Sequence, residues 1–170
     1  KRDGVCYSKE EYVRKKYKES AKVFINAYGW FVKEAQHIVP KPEGAEYPYW
    51  AFTDLYNVDQ TGDGHVLTLD VPIGEAILFD MFDWTKIMQM HYIGENESEE
   101  AAFSEELKNM GMNEFQIMTS NFYPEQKARI QESWKRLFGH QQAIEAGDNS
   151  GVHSVQAGLW CIKGEWIVKE

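Results

Sequence analysis

Residues 47–92 read YPYWAFTDLYNVDQTGDGHVLTLDVPIGEAILFDMFDWTKIMQMHY. The stretch opens on four rings, Tyr47, Tyr49, Trp50 and Phe52, and then passes through a polar turn, DQTGDG. From His65 to Asp70 the chain alternates in the period of a strand. Pro72 has no amide hydrogen, so it ends that strand or confines it to an edge. Residues 76–79 (AILF) are a short apolar run that suits a second strand. Asp83 stands ahead of WTKIMQMHY and suits the N-cap of a short helix. Strands and helices in mixed order, with few strand–helix–strand units, predict an α+β fold. The expected sheet is small, mixed or antiparallel, with three to four strands or more, and is packed by several helices.

Upstream, Ser8 and Glu11 have the spacing of a capping box. Helical spacing continues through Phe24, Ala27, Tyr28, Phe31, Ala35 and Ile38, and Ser20 offers a second cap. Residues 8–38 therefore form one helix or two, ended by Pro40 and Pro42. Downstream, ENESEEAAFSEELKNMG reads as an acidic helix stopped by Gly111. Pro124 opens an amphipathic helix whose apolar face is Ala128, Ile130, Trp134, Leu137 and Phe138, with Gly139 at its end. A strand is expected over residues 152–162, with Val155, Ala157, Leu159 and Cys161 on one face, and a last strand at GEWIVKE.

The chain has 170 residues, the size of a single globular domain over residues 1–170, and its 43% apolar content is enough to build a core. It starts at Lys1, which fits a chain lacking a native N-terminal strand. A net charge of −9 argues against sequence-independent binding to nucleic acid, and the basic residues near the start are interleaved with glutamates. No apolar run is long enough to span a bilayer, so no membrane partner is expected. Cys6 and Cys161 have no CxxC spacing and no secretory context, which points to reduced thiols and a cytoplasmic home.

Asp59, Thr61, Asp63 and Asp70, with Gly64 in the turn, have part of the spacing of a calcium loop. A Gly/Asp-rich turn accounts for the same residues, because Pro72 forbids the helix that would leave such a loop. No metal and no cofactor are expected. Asp80 and Asp83 could divide acid and base roles if their surroundings drive their pKa values apart. They could equally end a strand and cap a helix. The candidate ligand site joins Tyr47, Tyr49, Trp50, Trp84 and His91 with these two acids and Gln156. Rings with polar tips line many small-molecule pockets, and they also fill cores. The partner expected is a small molecule or a protein segment. GxSxG, P-loop and GxGxxG patterns are absent, which removes the commonest hydrolase and nucleotide readings.

Tyr28-Gly29-Trp30, YPYW, a strand bearing Val-Pro, the step from Asp80 to Trp84, NFYPEQKARIQESWKRLF and VQAGLWCIK occur in that order. In this the chain resembles a bacterial domain-of-unknown-function family of small cytosolic proteins, over about 140 residues from Tyr28 onward. The resemblance implies a bacterial or phage origin and no assigned activity. That family usually opens on a strand containing Leu-Trp-Thr, which this sequence lacks. More distantly, the order of elements is similar to that of the ADP-ribosyltransferase superfamily. That resemblance implies a nicotinamide pocket, with Gln156 where a late acid or amide sits and NAD as substrate. The superfamily's early His/Arg motif is not present. The expectation carried forward is a non-enzymatic binding module with an aromatic-lined cleft; the alternative is an NAD-using transferase.

Overall fold

The computed structural model describes residues 4–61 and 64–168. Among them a three-stranded sheet is built from β2 (Tyr49–Phe52), β3 (Ala76–Asp80) and β4 (Val155–Leu159), in the order β2-β4-β3. Both pairings are antiparallel, and Ala157 sits opposite Ala51 on one side and Leu78 on the other. Two short strands, β1 (Val5–Cys6) and β5 (Ile162–Lys163), form a separate antiparallel pair. The helices are α1 (Glu10–Tyr17), α2 (Ala21–Ala35), α3 (Met81–Met88), α4 (Glu97–Asn109), α5 (Glu114–Thr119), α6 (Pro124–Ser133) and α7 (Gln141–Glu145). The fold is α+β, as the sequence predicts.

Side chains alternate across a strand, so each strand feeds two layers. Trp50, Ile77 and Phe79 enter the larger core with Phe31 and Tyr28 of α2 and Trp84 of α3. Tyr49, Ala51, Leu78, Ala157 and Leu159 pack on the other face with Ile144 of α7. The larger core is a lattice of rings centred on Phe31, which is fully buried. Its ring centroid lies 5.0 Å from Trp50, 5.3 Å from Trp84 and 5.5 Å from both Phe79 and Phe138. The approach depends on Gly158 in the central strand. A Cβ there would stand 2.9 Å from Cζ of Phe31, closer than carbon atoms pack.

The outer edge of β3 is closed by a side chain. Gln141 is buried; its Oε1 accepts the Leu78 N–H at 2.5 Å and its Nε2 donates to the Ala76 carbonyl at 3.2 Å. The amide group thus replaces a neighbouring strand on an edge that would otherwise leave backbone groups unpaired.

Several local expectations change. Residues 8–38 are two helices: Lys18 takes a left-handed φ of 47°, and a 3₁₀ turn at Lys18–Ser20 separates α1 from α2. Neither Ser8 nor Ser20 caps through its side chain, and Lys9 occupies the cap position of α1. Residues 65–70 do not form a strand. Only Leu69 bridges, to Ile167, and Asp70 N–H donates to the Trp166 carbonyl. The expected last strand is instead a 3₁₀ turn at Gly164–Trp166. α6 converts at Trp134 into a 3₁₀ segment, Trp134–His140, that contains Gly139, and Ala128 is exposed. Asp80, rather than Asp83, caps α3. No helix among the described residues is long and apolar enough to cross a membrane.

Candidate functional site

The end of β3 delivers Asp80 into the start of α3, and that junction opens a surface cleft of about 660 Å³. Its walls are α3, residues 93–96, the first turn of α4, the 3₁₀ segment Trp134–His140, and the loop that enters β4. Asp80 is 3% exposed and accepts four hydrogen bonds. Oδ1 takes the Phe82 N–H at 3.1 Å, capping α3, and the Ser154 N–H at 3.3 Å. Oδ2 takes the His153 N–H at 3.1 Å and meets His153 Nδ1 at 2.9 Å. Burial alone would raise the Asp80 pKa, but this set of donors, led by the His153 ring, outweighs it and holds the carboxyl below the usual aspartate range.

Asp83 lies one helical turn further along the same wall. Burial, and then the negative charge of Asp80, push its carboxyl up, with Lys86 pulling the other way. Two carboxyls of the same chemistry are therefore driven apart, one firmly ionised and one more readily protonated. Across the cleft Glu100 is pinned by Lys86 Nζ at 2.6 Å and by the Gly94 N–H at 3.1 Å. A side chain on Gly94 would strike Glu100 Cγ at 2.8 Å, so only glycine lets that wall close. Gly151 packs closely on His140, where a Cβ would stand 3.2 Å from Nδ1.

Charge in the cleft is lopsided. Five carboxylates line it against two permanent cations, Lys86 and Arg136. Lys86 is matched by Glu100, and Arg136 by Glu95 at 3.3 Å. Asp83 and Glu97 have no ion-pair partner among the described residues. A second hollow of about 400 Å³, between Tyr92 and the side chains of Arg129, Lys135 and Arg136, has cations each already paired with a glutamate.

Of the eight residues expected to share a site, only Asp80 and Asp83 line this cleft. Tyr47 and Trp84 are buried in the ring core, where Tyr47 O–H donates to Glu10 at 3.0 Å. Trp50 joins them half-buried, 4.6 Å from the Trp84 ring, while Tyr49 lies on the opposite sheet face. His91 is exposed and pairs with Glu114, whose other oxygen accepts the Tyr92 N–H at 2.9 Å; the Glu114 hydrogen bond raises the His91 pKa. Gln156 is buried on the central strand, and its Oε1 has no hydrogen-bond partner among the described residues. In the expected calcium loop, Asp59 Oδ1 accepts both the Thr61 N–H at 2.9 Å and the Thr61 hydroxyl at 2.6 Å, a closed turn of its own. Gly62 and Asp63 lie outside the described residues. No group of three or more His, Cys, Asp or Glu among those described is arranged to hold a metal ion.

Residues 1–168 match the family described as Domain of unknown function (DUF3841). The chain belongs to this family. The resemblance to a domain-of-unknown-function family thus extends over more of the chain than the 140 residues expected. No curated protein and no solved structure matches it. The chemistry of this DUF3841 domain must accordingly be read from its own side chains. His153, His140, Lys86 and Glu100 belong to the cleft of the DUF3841 domain and carry no local motif. His153 and Asp80 are 73 positions apart, a separation that a single sequence does not bridge. The one visible signal is the polar stretch of residues 147–154 leading directly into an apolar strand.

Proposed function

We propose that the domain is a small-ligand-binding module and that its site is the acidic cleft at the β3–α3 junction. The observation that carries this reading is the charge imbalance, with five carboxylates against two cations that are themselves already paired. Such a site favours a small polar molecule bearing an ammonium or guanidinium group. The cleft's volume of about 660 Å³ falls in the range of small-molecule sites, roughly 300–1,000 Å³. Asp83 and Glu97 are the anchors, and Asp80 sets the shape of the wall. The rings form the scaffold behind them. The two free thiols, Cys6 and Cys161, support a cytoplasmic setting, and the family resemblance supports a bacterial or phage one.

Thermal unfolding with putrescine, agmatine and lysine amide, against succinate as the anionic control, tests the reading. At ligand levels near a hundred times Kd, binding stabilises by about 2.7 kcal/mol, which for a domain of this size is a rise of roughly 5–10 °C. The rise is expected for the cations alone and is expected to shrink in Asp83→Asn. No rise with any cation, or an equal rise in the variant, contradicts it.

A second reading, the NAD-using transferase, draws on Gln156, whose buried amide oxygen has no partner among the described residues. It ranks second because Gln156 is not among the residues lining the cleft and because the cleft's negative charge opposes a diphosphate.

A further inference from the structure

Binding alone does not account for the way His153 is held. Asp80 is ionised and can only accept, so the hydrogen between the two groups sits on His153 Nδ1. The neutral ring then carries its lone pair on Nε2, the nitrogen turned away from Asp80. The side chain is 74% exposed, lines the cleft, and leans on the Phe82 ring at 5.0 Å. A buried carboxylate that fixes the tautomer of an imidazole open to water is the arrangement of a general base.

We propose that the cleft hydrolyses a carboxylic ester bearing a positive charge, with His153 as general base and then general acid, and Asp80 as the positioning residue. The inference rests on the cationic-ligand reading above. No Ser, Thr, Cys or Tyr is among the described residues lining the cleft, so water itself is the attacking group. His153 Nε2 takes a proton from water as the water oxygen bonds to the ester carbonyl carbon. The bond from that carbon to the alkoxy oxygen then breaks, its electron pair stays on the leaving oxygen, and the His153 imidazolium passes its proton to it. Ester and water become acid and alcohol, and His153 is left neutral as it began, with Asp83 ionised throughout as the anchor of the positive charge.

The cleft holds other charged groups beside His153. From α3 these are Asp83 and Lys86, and from the α4 side Glu95, Glu97 and Glu100. Arg136 and His140 close the far wall.

Hydrolysis of lysine methyl ester, followed by pH-stat from roughly pH 5 to pH 9, tests the proposal together with the tautomer of His153 read by long-range ¹H–¹⁵N NMR. The expected results are hydrolysis above the buffer rate, a loss of about 100-fold or more in His153→Gln, and the Nδ1–H tautomer in the unmodified protein. His153→Gln keeps the binding of lysine amide, because the exposed ring is no part of the carboxylate anchor. In Asp80→Asn the Nδ1–H tautomer is lost and the hydrolysis rate falls with it. If lysine methyl ester binds but is not cleaved above the buffer rate, if His153→Gln cleaves it as fast, or if the Nε2–H tautomer prevails, the base assignment is overturned while the binding reading stands. If lysine amide does not bind at all, both fall together.

Discussion

Replacing Asp80 by alanine lowers the stability of the domain by about 3 kcal/mol. The change removes the N-cap of α3, worth roughly 1 kcal/mol. It also strips the partners from the N–H groups of His153 and Ser154, and a buried N–H without an acceptor costs about 1–3 kcal/mol. The loop entering β4 is tied to the end of β3 through this carboxylate and the Met81 N–H to Ser154 carbonyl bond. Acid should produce part of the same loss in the unmodified protein. The Asp80 pKa is depressed in the folded state, so its contribution is complete above the unfolded-chain value near 3.9 and disappears as the pH falls through the lower folded value. Urea unfolding at pH 7 and at a series of pH values down to about 3 is the measurement. The gap between the unmodified protein and Asp80→Ala should be constant from pH 7 to about pH 5 and narrow below pH 4. A gap that does not narrow in acid would mean the ionised carboxylate is not what holds the junction.

Phe31→Ala is the most damaging single substitution expected in the interior, at about 4–5 kcal/mol. Removing a fully buried phenylalanine costs roughly 3–5 kcal/mol, and the upper end applies because the site cannot collapse. Four of its neighbours are large rings held by their own elements, Trp50 in β2, Phe79 in β3, Trp84 in α3 and Phe138 in the 3₁₀ segment. The facing position in β4 is a glycine with no side chain to move into the gap. Equilibrium unfolding in guanidinium would read the change. A cost under about 2 kcal/mol would show that the ring lattice repacks freely and is not the rigid wall behind the cleft.

The parts of the fold that local chemistry decides were readable in the chain. The AILF run became β3, the acidic first turn of α4 and the stop at Gly111 lie where they were expected, and Val155, Ala157 and Leu159 share one face of β4. The parts that failed depend on distant partners. Residues 65–70 alternate like a strand, yet only Leu69 finds a bridging partner, so no ladder forms. The break between α1 and α2 is a left-handed lysine, a residue with no preference for that conformation. β2 was obscured because rings occupy both of its faces and erase the alternation. The site divides in the same way. Asp80 and Asp83 stood out as neighbours, but the imidazole that gives Asp80 its partner arrives from the far end of the chain. The rings of YPYW pointed to a pocket because the same side chains serve pockets and cores, and here burial assigns Tyr47 and Trp84 to the core.

One measurement bears most directly on the claim that acids form the site and rings form its support. An ¹H–¹⁵N NMR titration of the whole chain with agmatine should shift the amides of Asp83, Gly94, Gly151 and His153 and leave the indole N–H signals of Trp50 and Trp84 unmoved. Shifts concentrated on those two indoles, with the cleft amides silent, would contradict it.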